Sequence, residues 1–145
     1  MGKPFTDAER LAFIAQARRY VALATRWRHQ GRSERGVDCG GLVAVCLSAI
    51  GCAPADMPAY SRWPLGDSLR ALLVENFGEP VPCDSMQPGD VVLMRFGGEP
   101  SHVAMLGDYV HGGLSVIHAY AASRKVVEHA LDDVWLARIT EVFRP

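Results

Sequence analysis

Long apolar runs are missing from this 145-residue chain. The hydrophobic stretches are short and are broken by Gly, Ser or Arg, well under the roughly 18–20 residues a membrane-spanning helix needs, so membrane insertion is not expected. The start, MGKPFTDAER, has no apolar segment after Lys3, so it does not read as a secretory signal and cytoplasmic synthesis is expected. An excess of one charge is missing too. Fifteen Lys and Arg stand against sixteen Asp and Glu, a formal net charge of −1, so no broad positive field exists to hold nucleic acid or an anionic membrane. The four cysteines (Cys39, Cys46, Cys52 and Cys83) are too few and too unevenly spaced for a disulfide framework. No CxxC and no HExxH occurs, so the five histidines and four cysteines do not announce a structural zinc site, and no metal or other cofactor is expected. Repeats and low-complexity segments are absent. What remains is 49% hydrophobic and 21% charged, the profile of an ordinary globular protein, with enough residues for a single domain over 1–145.

The order of elements is readable. Thr6-Asp7-Ala8-Glu9 is a capping-box pattern, and Leu11, Ile14, Ala15, Arg18 (through its stem) and Ala22 follow at helical spacing, which predicts an amphipathic helix over 7–24. Residues 25–37, TRWRHQGRSERGV, read as an arginine-rich loop ending near Gly36. A second helix is expected over 39–50, nearly all apolar or small and hence buried, with Asp38 as its N-cap and Gly51 as its stop. A loop with Pro54, Pro58 and Pro64 leads to a third helix at 67–77, with Leu69, Leu72, Leu73 and Phe77 inward and Gly78 after it. Beyond Pro80 and Pro82 the period changes. VVLMRF (91–96), HVAML (102–106), LSVIHAY (114–120), KVVEHA (125–130) and RITEVF (138–143) read as short strands. Helices first and strands after them give an α+β domain, with N-terminal helices packed on an antiparallel sheet of about five strands.

One cysteine stands apart. In GVDCGGLVAV (36–45), Cys39 opens the second helix instead of lying within its apolar run, as Cys46 does. At that point unpaired backbone N–H groups and the helix dipole favour a thiolate, particularly beside a protonated histidine. Gly40 and Gly41 would let a substrate backbone approach, and the Cys39 N–H would face an oxyanion. A nucleophilic thiol also needs a base and a group to orient it. His102 begins one strand and His118 lies inside the next. A hairpin centred on Val110, with Asp108–Gly112 as its loop, would pair 102 with 118, 104 with 116 and 106 with 114, bringing both imidazoles onto one face. Taken alone, His118 reads as a satisfied core residue. His29 and His111 read as solvated loop residues, His129 as an edge or surface residue, and Cys46, Cys52 and Cys83 as small hydrophobes. The cluster Arg26, Arg28, Arg32 and Arg35 reads as a solvated face.

Three blocks, GVDCGGLV, MQPGDVVLMRFGGEPSHVAMLG and VIHAY, resemble in order the NlpC-type cell-wall peptidases, papain-like enzymes that cleave peptidoglycan stem peptides. With the elements between them they span 7–143. The short form with WRHQG ahead of the cysteine looks most like the branch carried in bacteriophage tails and gene-transfer particles. The resemblance implies a cysteine peptidase with Cys39 as nucleophile, His102 as base and His118 orienting His102, acting as an imidazolium–thiolate pair. It implies the γ-D-glutamyl–diaminopimelate bond as the scissile bond, tail-tip or hub proteins as partners, and action at the cell wall after incorporation into a phage-like particle. Trp27, Arg28, Asp38 and Gly40 are the candidate substrate contacts, with Arg28 and Arg32 set to meet substrate carboxylates. Trp27 departs from the family, which usually carries a tyrosine there. An indole N–H donates a hydrogen bond but cannot accept one, so Trp27 shapes the cleft without replacing the hydroxyl. The competing expectations are a tail-tip component with the same fold and little or no activity, an acyl transfer to something other than water, and a metal-binding module.

Overall fold

The structure, a computed structural model, describes residues 3–56 and 67–145; the expected turns at Pro58 and Pro64 lie outside the described residues. Helix α1 runs Asp7–Ala22, and Thr6 and Glu9 close the capping box, each side chain accepting the other's backbone N–H. The buried face of α1 is not the expected one. Phe13, Ile14, Ala17 and Tyr20 are buried, whereas Leu11 is 68% exposed and Ala15 and Ala22 also face solvent. Two stripes satisfied the helical period and shared Ile14. The one carrying two aromatic rings won, because each ring removes far more surface from water than the alanines do.

Residues 25–37 are more ordered than a loop. Two short strands, β1 (Arg32–Ser33) and β2 (Gly36–Val37), form a small hairpin, and Trp27 bridges to Val37. The hairpin leads into helix α2, Cys39–Ala49, whose apolar residues are mostly buried, and then comes α3, Asp67–Phe77. Both of these helices fall where the spacing placed them. Gly51 and Gly78 follow them with φ of +89° and +79°, the left-handed conformation in which glycine pays no Cβ penalty.

The strands β3 (Val91–Met94), β4 (His102–Asp108), β5 (Leu114–Tyr120), β6 (Lys125–Ala130) and β7 (Ile139–Phe143) form one antiparallel sheet in the order β6-β5-β4-β3-β7. A one-turn helix α4, Asp133–Leu136, precedes β7. Helices α1, α2 and α3 cover one face, where Leu93, Val103, Met105, Ile117 and Phe143 meet Phe13, Leu42 and Leu69. The opposite face is also covered: Val92, Met94, Ala104, Leu106, Val116 and Val142 pack with Met86, Leu131, Trp135 and Ile139. Burial on both faces explains why VVLM shows no alternation. The Pro-Gly-Asp block before β3 is a clamp. Asp90 is 0% exposed and takes both ends of the Arg144 guanidinium at 3.0 and 2.9 Å, tying the end of the chain to the start of the sheet.

The β4–β5 register differs from the expected one by two residues. Leu106 pairs with Val116 and Asp108 with Leu114, so the turn centres on His111. Gly112 and Gly113, at φ +99° and +75°, make the turn, and only glycine adopts consecutive positive φ values freely. A two-residue slip preserves sidedness because strand side chains alternate with period two. His102 and His118 therefore share the sheet face opposite the long helices, as diagonal neighbours and not as a direct pair.

The corrected face of α1 predicts a contrast in stability. Phe13→Ala should cost about 3–5 kcal/mol, and Leu11→Ser should stay within about 0.5 kcal/mol, both read from urea unfolding midpoints. Equal losses would restore the stripe through Leu11.

Candidate active site

The head of α2 is built from glycines and a carboxylate. Asp38 caps the helix by accepting the Gly41 N–H at 2.8 Å; it also accepts the Gln30 N–H at 2.8 Å and Arg32 at 2.9 Å, and it is 4% exposed. Its carboxylate is thus engaged inside the protein, and Asp38 anchors the hairpin to α2. Arg32 is committed as well, reaching Asp56 through a two-point contact at 2.8 and 3.0 Å besides Asp38. Arg28 remains exposed at the chain surface, with its stem over Gly36.

The two glycines after Cys39 have different jobs. A Cβ on Gly41 would lie 2.1 Å from the Gly31 carbonyl oxygen, so the hairpin seats only on a glycine. A Cβ on Gly40 would meet nothing nearer than Asp38 Oδ1 at 4.0 Å, leaving its surroundings open.

Cys39 lies where the sheet opens. The β4–β5 ladder stops at Met105–Ile117, although the strands extend to His102 and Tyr120. In the gap the backbone N–H groups of Val103 and Gly40 lie close enough to the thiol to favour its anion. On the other face the His102 and His118 rings are joined, Nε2 to Nδ1, at 2.7 Å, and both are buried. His118 Nε2 lies 2.9 Å from Nε2 of His129, whose Nδ1 lies 3.0 Å from the Ala130 carbonyl oxygen. His129 is therefore not an isolated edge residue. Its signal in the sequence was its parity: on β6 it pairs with Val116, two residues before His118 on the same face.

The structure thus brings His102 and His118 into contact and sets Cys39 beside the residue that follows His102. Among the described residues no hydrogen bond joins Cys39 to either ring. Trp27 sits near α2 through its bridge to Val37, its backbone N–H donating to the Arg124 carbonyl at 2.9 Å. Aromatic side chains wall the histidines. Trp135 lies 5.0 Å from His118 and 4.7 Å from His129, and Phe96 and Tyr120 lie 5.5 and 6.2 Å from His102. The Arg138 guanidinium covers the faces of Phe96 and Trp135 at 4.6 and 4.4 Å.

The electrostatics of the three groups are dominated by burial. Burial pushes the Cys39 thiol up to about 11, against the pull of the Val103 and Gly40 N–H groups. Burial lowers His102 to about 4, and the nearby Arg138 cation acts in the same direction. Burial also lowers His118, helped by the charges of its two histidine neighbours. Burial thus works toward the neutral form of all three groups, against the imidazolium–thiolate pair that the resemblance implies. The helix-end argument is sound in direction but is outweighed by desolvation.

A pH dependence follows from these shifts. The unfolded histidines titrate near 6.5, and folding lowers His102 and His118, so their stabilisation is complete above about pH 6.5 and is lost as pH falls toward 4. The His102 contribution alone is on the order of 3 kcal/mol. Thermal midpoints should fall between pH 6.5 and 4.5, and His102→Gln together with His118→Gln should flatten that fall. An equally steep fall in the double variant would contradict the assignment.

With this geometry in place, the comparisons are informative. The NlpC/P60 family profile matches residues 24–144. No curated protein matches significantly. Among solved structures, the chain is similar to a lipoprotein-like NLP/P60 family protein from Staphylococcus aureus subsp. aureus Mu50, with 16% identity and a TM-score of 0.69, over 98% of this chain and 43% of that one. It is also similar to the NlpC/p60 domain of the peptidoglycan hydrolase SagA, with 21% identity and a TM-score of 0.62, over 94% of this chain and 98% of that one. A third similar structure is the peptidoglycan hydrolase RipB of Mycobacterium tuberculosis, with 21% identity and a TM-score of 0.55, over 99% of this chain and 72% of that one. The chain therefore spans less than half of the staphylococcal protein, 43%. The helices and the antiparallel sheet agree with the papain-like fold of these neighbours, and the match over 24–144 means that the chain belongs to the NlpC/P60 family.

Proposed function

We propose that the protein is a cysteine peptidase that hydrolyses peptidoglycan stem peptides. The observation that carries this reading is at the open end of β4 and β5: a cysteine at the head of a buried helix, near the backbone of Val103, with the preceding residue His102 joined to His118 at 2.7 Å. Family membership and the peptidoglycan hydrolases among the structural neighbours support it. In this reading the Cys39 thiol gives its proton to His102 as the sulfur attacks the amide carbonyl. The Cys39 backbone N–H donates to the oxyanion, and His102 then protonates the leaving amine. A second pass with water releases the acyl group. His118 orients His102 without adding a negative charge.

The scissile bond we assign is the γ-D-glutamyl–diaminopimelate bond, and the setting is a phage-like particle that docks the domain through a tail-tip or hub protein and delivers it to the cell wall. Both follow from the resemblance of 27–31 and 36–43 to that branch. An inactive structural component is the second reading, favoured by the raised thiol and by Trp27.

Digestion of purified peptidoglycan, with fragments identified by mass, decides among these. The wild type should release fragments ending at D-glutamate, and Cys39→Ala should release none. Equal digestion by both would remove Cys39 from the reaction, and no digestion by a folded wild type would favour the structural role. Arg28→Glu, which disturbs no ion pair of the Asp38–Arg32–Asp56 clamp, should raise KM for a stem peptide about tenfold with kcat little changed. An unchanged KM would exclude Arg28 from substrate contact.

A further inference from the structure

His129 has no part in the mechanism above, yet the hydrogen bonds around it determine what His102 can do. A carbonyl oxygen only accepts, so the contact with Ala130 at 3.0 Å places a hydrogen on His129 Nδ1. In a neutral ring the Nε2 of His129 is then a lone pair. It faces His118 Nε2 at 2.9 Å, and two nitrogens at that distance need one hydrogen between them, so His118 carries it. His118 Nδ1 is accordingly the acceptor of its own ring, and His102 Nε2, 2.7 Å away, must donate to it. This leaves the lone pair of His102 on Nδ1. A backbone carbonyl two rings away thus sets the tautomer in which His102 is a base.

Resting on the peptidase reading, we propose that His129 is the terminal proton station of a three-imidazole relay and holds the positive charge formed when Cys39 is deprotonated. The steps balance without a further reactant. The S–H bond of Cys39 breaks and its proton binds His102 Nδ1. The Nε2 proton of His102 passes to His118 Nδ1, and the Nε2 proton of His118 passes to His129 Nε2. The products are a thiolate at Cys39 and an imidazolium at His129, with His102 and His118 neutral again. Reversing the relay returns a proton at His102 Nδ1 for the leaving amine.

The surroundings favour charge at that end. His102 and His118 are 8% and 1% exposed, and His129 is half-buried, so an imidazolium loses least hydration at His129. Arg138 repels a proton at the His102 end. The other charged groups nearby are engaged: from α4, the Asp132 carboxylate accepts the Trp135 N–H, and on β6 itself Glu128 lies on the opposite face, held by Arg18 and Ser115.

Two measurements test the relay. In the wild type at pH 7.5, nitrogen-15 NMR of the histidine rings should show hydrogen on Nδ1 of His129 and on Nε2 of His118 and His102; hydrogen on Nε2 of neutral His129 would overturn the proposal. Second, iodoacetamide labelling read by mass reports Cys39 deprotonation directly, with exposed Cys83 as internal reference. His129→Gln keeps an acceptor for His118 but cannot take up a proton, so Cys39 should label at least about tenfold more slowly while Cys83 is unchanged. Labelling within twofold of wild type in a variant with native circular dichroism would overturn it, and the wild-type NMR result decides alone should the variant not fold. Loss of labelling in His129→Gln, with no peptidoglycan cleavage by the wild type, would support the relay and remove the peptidase reading.

Discussion

The backbone N–H of Val103 lies close enough to the Cys39 sulfur to pull its pKa down, and the site depends on that approach. It is available because β5 leaves β4 beyond the Met105–Ile117 pair, so the first residues of β4 lack a ladder partner on that side. The head of α2 fills the opening from the helix-covered face, and His102 and His118 approach from the other. Separate elements are thereby brought to one point without a long loop to hold them. The hairpin before α2 is fixed by Asp38, which binds two backbone N–H groups and Arg32, while Gly41 lets the Gly31 carbonyl lie against the helix. The position of the sulfur is thus set by backbone contacts on both sides, which side-chain motion cannot relax.

The same closeness makes charge costly. A thiolate and an imidazolium formed side by side in this pocket would both lack hydration, and their attraction offsets that loss only with good geometry. Helix-end stabilisation is worth roughly 0.3–1 kcal/mol at ordinary sites and up to about 2 in favourable partly buried ones, and at Cys39 desolvation acts against it. A chain of neutral imidazoles answers the problem differently. It moves a proton by short transfers between fixed partners and leaves the net charge where solvent is nearest.

Much of this was legible in the sequence, and the failures have physical reasons. The capping box at Thr6, the Asp38 cap and the glycine stops at 51 and 78 are local signals, and the elements they bound appear within about two residues of expectation. The buried stripe of α1 was not local: only the partner surface could choose between two faces with the same period. The β4–β5 register failed because either glycine at 112 and 113 could have closed the turn, whereas the contact of His102 with His118 on one face survived because the error was an even number of residues. Desolvation of Cys39 was invisible because it depends on the tertiary packing around the head of α2 and not on the residues next to Cys39 in sequence. Asp38 and Arg32 looked like groups offered to a ligand because their partners, Gln30 and Asp56, carry no motif.

The aromatic wall around the histidines extends the same logic. Phe96, Tyr120 and Trp135 lie edge-on, stacked or tilted against the histidine rings, at 4.7–5.5 Å between ring centres where they approach most closely. Such packing excludes water that would otherwise compete for each ring nitrogen, and in a low-dielectric setting each N···N hydrogen bond gains in strength. Arg138 lies over two of these rings at one side of the cluster, where its charge bears on His102. Packing and charge thus point the same way: the rings are held in one order, water is kept from the middle of the chain, and a proton is least welcome at the end nearest the sulfur. A histidine held there takes up a proton briefly and passes it on, which suits a base that must act twice in each turnover.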